Sequence, residues 1–290
     1  MILNKLFIGT ANFNKNYNLI NNYKVEKREI KEIFRYLRKK KIFNIDTAIN
    51  YDNEGLLKFF CSKSHNIVTK IDLKNFTLNK KNWSSKKNYL INLKEKIKIK
   101  NFYGVLIHIT SHNEIKNENC KKLINLLLSL KKKKLIKKIG FSIYEPKDAD
   151  AILGTYNIDL IQIPLNLFDR RFEKQGYLEK FKKKHIEIHI RSIFLQGLLL
   201  ENKVPKNFKH WTRNFKQIDE WTSLNNISKL QACIQYILGI AEVDKVIIGV
   251  NNLRQLKQIV KNFKKPSRHI NFSQNFGSSN LKLIDPRKWI

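Results

Sequence analysis

The sequence predicts a closed (β/α)8 barrel, the eight-unit α/β architecture called a TIM barrel, formed as a single domain over residues 1–290. Three observations predict it. Eight short apolar runs alternate with longer stretches whose apolar residues recur at intervals of three and four. Each run is followed by enough chain for a helix or a long connection, which is the spacing of parallel strands. The first run, "KLFIGT", leads into "ANFNKNYN", without the GxGxxG turn that opens a doubly wound dinucleotide sheet. Eight units in about 250 residues suit a closed barrel.

Taken in chain order, strands are expected at 5–10 ("KLFIGT"), 42–46 ("IFNID"), 66–71 ("NIVTKI") and 103–109 ("YGVLIHI"). Four more follow at 136–142 ("IKKIGFS"), 158–164 ("IDLIQIP"), 186–192 ("IEIHIRS") and 245–250 ("KVIIGV"). Each is short, rich in isoleucine, valine or leucine, and bounded by polar chain. Amphipathic helices are expected at 27–40, 119–133, 228–241 and 253–263. Lys131–Lys134 closes the second of these, where cations suit the negative end of the helix dipole. No Gly/Ser- or Pro-rich linker divides the chain. The stretch 264–290, broken by Pro266 and Pro286, is expected as an irregular tail folded over one barrel end.

Composition narrows the function classes. A hydrophobic content of 42% can fill a core. No apolar run is long enough to cross a bilayer, and "MILNKLFIGTANF" turns polar too soon for a signal peptide. Cys61, Cys120 and Cys233 are far apart and form no CxxC or metal spacing, as in a cytoplasmic protein with reduced thiols and no metal site. The 57 basic residues against 24 acidic ones give +33. Such a charge raises nucleic acid or an anionic membrane as partners. The lysines are spread along the whole chain, in company with abundant asparagine and isoleucine, and no nucleic-acid motif accompanies them. A/T-rich coding accounts for that pattern, so no specific nucleic-acid partner is expected.

In a barrel of this kind the active site lies at the carboxyl ends of the strands. The second strand ends in Asp46, with Tyr51 in its loop. The third ends in Lys70 and the fourth in His108. The fifth ends in Ser142, the sixth carries Gln162, and the seventh carries Arg191 and Ser192. Singly, each has an ordinary explanation: a helix cap for Asp46, packing for Tyr51, surface charge for Lys70, a core histidine for His108. Together, on three successive strand ends, they make chemical sense. A phenol of pKa about 10 gives up its proton more easily beside an ammonium. A carboxylate keeps that ammonium charged and oriented. An imidazole at the same mouth can bond a substrate oxygen or pass a proton. The set suits proton delivery to a carbonyl oxygen as hydride reaches the carbon: Tyr51 donates, Lys70 and Asp46 support it, and His108 assists.

These residues resemble the aldo-keto reductase family. The first strand and loop read "LFIGTANFNKNYNLINN", and the Asp-Thr-Ala…Tyr segment reads "DTAINY" (46–51). "VTKI" (68–71) and "VLIHIT" (105–110) are similar to the lysine and histidine strands. "KLIKKIGFSIY" (134–144), "IDLIQIPLNLFDRR" (158–171), "IEIHIRSIFLQGLLL" (186–200) and "VDKVIIGVNNLRQLKQIV" (243–260) extend the likeness in order over nearly the whole chain. They look most like a bacterial branch associated with polysaccharide biosynthesis.

The resemblance implies an NAD(P)H-dependent reductase of an aldehyde, ketone or keto-sugar, with NADP as cofactor and NAD as the alternative. It implies that Ser142 and Gln162 hold the nicotinamide carboxamide, and that Arg191 takes the place of an aromatic ring against the nicotinamide. Gly9, Thr10 and Asp46 are then near the nicotinamide ribose. Ser192, Gln196, Leu198 and the loop from Gly249 through Asn251 and Arg254 to Gln255 line the pyrophosphate and adenosine. The sequence departs from the family pattern at Ile143, usually asparagine, and at Asp52, often glycine. Glycines of the first loop are replaced by Phe7, Asn14 and Asn18, and Gly249, Val250 and Gln255 stand where NADP-dependent members carry Lys, Ser and Arg. Arg254 and Lys257 are nearby cations for a 2′-phosphate. Those departures leave a second reading, a cofactor-binding regulatory barrel with little catalysis. Residues 199–225 and 264–290 are expected to shape the substrate pocket, with Trp211, Trp221 and Trp289 as pocket wall or simple packing. The expected protein is a monomer or weak oligomer acting on a small carbonyl or sugar.

Overall fold

The apolar runs form eight parallel strands: β1 (Leu6–Gly9), β2 (Asn44–Asp46), β3 (Asn66–Asp72), β4 (Phe102–His108), β5 (Ile136–Ser142), β6 (Leu160–Pro164), β7 (Glu187–Arg191) and β8 (Lys245–Gly249). They pair in sequence order, and β8 returns to β1 with Gly9 opposite Gly249, so the sheet closes into a barrel. This computed structural model describes residues 2–13, 25–75, 83–264, 272 and 276–289. Asn14 and Asn18 lie outside the described residues.

Strand alternation sorts side chains into two cores. Outward residues pack under the helices in one large cluster that includes Ile8, Ile45, Ile107, Phe141 and Ile163. Inward residues Phe7, Val68, Leu106, Leu160 and Ile247 form a separate apolar layer across the barrel. β5 and β6 approach so closely that a Cβ on Gly140 would lie 1.6 Å from the Leu160 carbonyl oxygen, which leaves glycine as the residue that fits there.

A polar cluster lies on the other side of this layer from the strand ends. Glu187 accepts from the Tyr103 hydroxyl at 2.8 Å and from His189 Nε2 at 2.7 Å, and it also pairs with Lys138. Burial would raise the Glu187 carboxyl, but bonds from His189, Lys138 and Tyr103 outweigh it and bring it down to about 2.

The helices are α1 (Lys27–Lys39), α2 (Glu54–Phe60), α3 (Trp83–Lys96), α4 (Glu118–Lys132), α5 (Pro146–Thr155), α6 (Arg171–Lys174) and α7 (Tyr177–Lys183). They continue with α8 (Thr212–Leu224), α9 (Lys229–Leu238), α10 (Leu253–Phe263) and α11 (Leu281–Ile284). The expected periodicities bury as written: α1 turns Ile30, Ile33, Phe34 and Leu37 inward. Asn117, Ser228 and Asn252 cap α4, α9 and α10 through side-chain oxygens that accept backbone N–H groups.

The described part of the tail is partly helical, through α11 and a 3-10 turn at Pro286–Lys288. It reaches the loops after β4 and β5. Arg287 donates to the Thr110 carbonyl at 3.0 Å, and its guanidinium carbon lies 3.7 Å from the Tyr144 ring centre. All three cysteines are free and buried, and burial pushes Cys61 and Cys233 up to about 12. Among the described residues no cluster of His, Cys, Asp and Glu could hold a metal. Among the same residues no helix is long and apolar enough to cross a membrane.

Candidate active site

The carboxyl ends of the strands surround a cavity of about 890 Å3. Parallel pairing brings the chemistry together there. Register sets Gly9 beside Asp46, His108 beside Ser142, and Ser142 beside Gln162.

Asp46 and Lys70, on β2 and β3, form the buried centre. Their residues are 4% and 5% exposed, and Lys70 Nζ donates to Asp46 Oδ1 at 2.5 Å. Burial lowers the Lys70 ammonium from its ordinary value, and the Asp46 carboxylate offsets only part of that fall. Gln162 Nε2 donates to the other Asp46 oxygen at 2.8 Å, and Ser142 Oγ donates to Gln162 Oε1 at 3.4 Å. The carboxylate is therefore fixed from two sides.

Tyr51 ends a 3-10 turn at Ile49–Tyr51 and lines the cavity, with Lys70 Nζ 5.9 Å from its ring centre. Asp52, where a glycine was expected, has φ of 52°. This is the left-handed region that glycine visits freely and aspartate tolerates, so the turn survives the exchange.

His108 also lines the cavity. Its Nδ1 is buried and has no partner. Burial first, and then the Arg191, Lys70 and Arg287 cations, hold its imidazole down at about 3. His108 is thus neutral at physiological pH. This shift carries a stability consequence. An unfolded histidine titrates near 6.5, so between pH 3 and 6.5 the unfolded chain binds a proton that the folded chain refuses. Stability therefore falls as pH drops through that window, with a slope from this group approaching about 1.4 kcal/mol per pH unit. Urea unfolding of wild type and His108→Gln at pH 4.5, 5.5 and 7 is expected to show the variant losing less stability on acidification.

Arg191 at the end of β7 donates to the Ile143 carbonyl at 2.9 Å and lies 4.1 Å from the Tyr144 ring centre. Tyr144 packs edge-on to His108 at 5.5 Å. Ile143 itself is fully buried in the outer core, so the side chain at this departure from the family pattern points away from the cavity. Beyond Arg191 the chain turns through positive φ at Ser192, Leu195, Gln196 and Gly197.

Of the residues the sequence singled out, Gly9, Asp46, Tyr51, Lys70, His108, Ser142, Gln162, Arg191, Ser192, Gln196, Gly249, Asn251 and Gln255 all line this one cavity. Three lie off its wall. Thr10 is fully buried beneath it, donating to Thr47 Oγ1 and accepting from Asn53, where it braces the β1 and β2 loops. Leu198 is fully buried in the outer core, and Arg254 is exposed on α10. The tryptophans also stay off the wall: Trp211 and Trp289 pack on Phe208, and Trp221 packs on Phe272 and Phe276.

Tyr144 and Lys229 are among the lining residues that the sequence reading did not single out. Tyr144 follows Ser142 by two positions, the interval that returns a side chain to the same face. Lys229 begins α9 and pairs with Asp219 at 2.5 Å. No local signal marks it among so many lysines.

Fold and cavity together define a barrel enzyme with a buried carboxylate–ammonium pair beside a phenol and a neutral imidazole. The family model for the aldo/keto reductase family matches residues 5–273, and the chain belongs to that family of NAD(P)-dependent oxidoreductases. Among solved structures, the holo form of aldo-keto reductase AKR11C1 from Bacillus halodurans is similar. It has a TM-score of 0.72 and 16% identity over 91% of this chain and 88% of that one. Glycerol dehydrogenase AKR11B4 from Gluconobacter oxydans superposes with a TM-score of 0.67 and 17% identity over 91% and 87% of the two chains. A search of curated protein sequences gave no match.

The residues fit an extended nicotinamide nucleotide. The cavity lining includes Tyr51, His108, Gly9, Ser192, Gly197, Gln255 and Gln258, and the buried His108 Nδ1 has no partner. Gln255 Oε1 accepts from the Asn251 N–H at 2.9 Å, and next to this turn Glu29 accepts from the Leu253 N–H.

Proposed function

We propose that this protein reduces the carbonyl of a small aldehyde, ketone or keto-sugar to an alcohol, with Tyr51 as proton donor. The observation that carries the proposal is the buried Asp46–Lys70 ion pair, at 2.5 Å, on the same cavity wall as Tyr51 and His108. Bound NAD(P)H supplies the hydride. The chain's own residues handle the proton. Tyr51 gives its hydroxyl hydrogen to the carbonyl oxygen as negative charge develops there. The Lys70 cation stabilises the phenolate left behind, and Asp46 keeps Lys70 charged in a site that would otherwise strip its proton. Neutral His108 bonds the substrate oxygen and orients the carbonyl.

NADPH is the proposed nucleotide, with NADH as the alternative. Exposed Arg254 and Lys257 on α10 adjoin the cavity-lining Gln255 and Gln258, within the part of the chain that a 2′-phosphate would approach. The second reading, a nucleotide-sensing barrel, draws support from Gln162, whose amide is engaged by Asp46 and Ser142.

Titration of the folded protein with NADPH and NADH, followed by nucleotide fluorescence, tests the proposal. NADPH is expected to bind at least about tenfold more tightly than NADH, a difference of about 1.4 kcal/mol. Binding of neither nucleotide would overturn the proposal.

A further inference from the structure

We propose that the carbonyl substrate carries an oxyanion group, carboxylate or phosphate, and that the edge of the Arg191 guanidinium receives it. This rests on the reductase reading above and names the class of substrate that reading leaves open.

The argument begins with charge balance. Most cations around the mouth have an acidic partner: Lys70 has Asp46, Lys229 has Asp219, Arg171 has Asp169, and Arg287 has Asp285 and, at 3.7 Å, Glu145. Arg191 lines the cavity and, among the described residues, has no carboxylate within ion-pair distance. A half-buried guanidinium has lost part of its hydration, and leaving it without a counter-charge is costly. A ligand anion removes that cost.

The side chain is also held ready. One Nη donates to the Ile143 carbonyl at 2.9 Å, the other reaches Ser192 Oγ at 3.3 Å, and Tyr144 covers the guanidinium at 4.1 Å. Of the five N–H groups a guanidinium offers, these bonds use two and Nε is buried without an acceptor, which leaves the second hydrogen of each Nη for a ligand in the cavity. A fixed guanidinium with unspent donors suits the two oxygens of a carboxylate or phosphate.

Position ties this anion to the reacting group. Tyr144 bridges Arg191 and His108, packing on the first at 4.1 Å and on the second at 5.5 Å. The Arg191 charge is also felt at both His108 and Lys70. An oxyanion bound there belongs to a molecule whose carbonyl sits a few bonds away.

The test compares matched substrates at saturating NADPH: 4-carboxybenzaldehyde against benzaldehyde, and glyceraldehyde 3-phosphate against glyceraldehyde. The charged member of at least one pair is expected to have a kcat/KM at least tenfold higher, carried mainly by KM. The two pairs distinguish carboxylate from phosphate. Arg191→Met is expected to bring the ratio close to one, and Arg191→Lys to restore part of it. Because each ratio is taken within one protein, any loss of cofactor affinity common to both substrates cancels. Equal values in the wild type, or a preference that survives Arg191→Met, would overturn the proposal. So would weakened NADPH binding in Arg191→Met with an unchanged ratio, which would assign the guanidinium to the nucleotide.

A binding arm separates this proposal from the reductase reading. Benzoate, inorganic phosphate and benzamide are titrated calorimetrically into wild type and Arg191→Met without turnover. Loss of anion binding in the variant supports the oxyanion site even if no carbonyl is reduced. Identical anion and amide binding in both proteins overturns it. Circular dichroism confirms that each variant is folded, and Arg191→Lys carries the comparison if Arg191→Met is not.

Discussion

Tyr51→Phe is expected to lower kcat by about 10²–10⁴-fold, the range a positioned proton donor supplies, while nucleotide affinity stays within about threefold. The substitution removes one oxygen atom and keeps the ring that lines the cavity 5.9 Å from the Lys70 ammonium. Binding and packing should therefore persist while proton delivery is lost. Steady-state kinetics on a panel of aldehydes and keto-sugars, beside fluorescence titration with NADPH, reads both quantities. A variant that keeps more than a tenth of wild-type kcat would remove Tyr51 from the chemistry. A wild type that binds nucleotide but turns over nothing on the panel, with Tyr51→Phe binding equally well, would favour the sensing barrel.

Lys70→Met should damage both activity and stability. Lys70 and Asp46 are each at most 5% exposed and touch at 2.5 Å. Removing the ammonium strands a buried carboxylate whose remaining side-chain bond is from Gln162. Breaking one side of a buried pair costs about 3–5 kcal/mol. The urea midpoint should fall accordingly, with an unchanged m-value. Adding Asp46→Asn removes the stranded charge, so the double variant should regain much of the stability and none of the turnover. A single variant as stable as wild type would show that the pair is not held as tightly as its geometry indicates.

All eight strands were legible because each is a short run buried on both faces, and runs such as "GVLIHI" leave little room for another reading. Helices α1, α4, α9 and α10 were legible from their apolar spacing. Short α6 and α7, interrupted by Gly176 at φ of 69°, lack the length for a period to show. The site was legible at strand ends, where one position in two must face the cavity. Its loop residues were less so. Thr10 and Leu198 follow the expected order along the chain, but local turns bury both away from the cavity wall. The tryptophans illustrate the same limit, since a large aromatic in a loop carries no sign of which neighbour it will cover. Ile143 and Asp52 depart from the family pattern with little local consequence, one facing outward and the other adopting the backbone angle its position demands.

The apolar layer of Phe7, Val68, Leu106, Leu160 and Ile247 acts as a floor. Behind it, Glu187 and its three partners fill the opposite end of the barrel. Ile247 belongs both to that floor and to the cavity lining, so a molecule held among the polar strand ends also meets hydrocarbon.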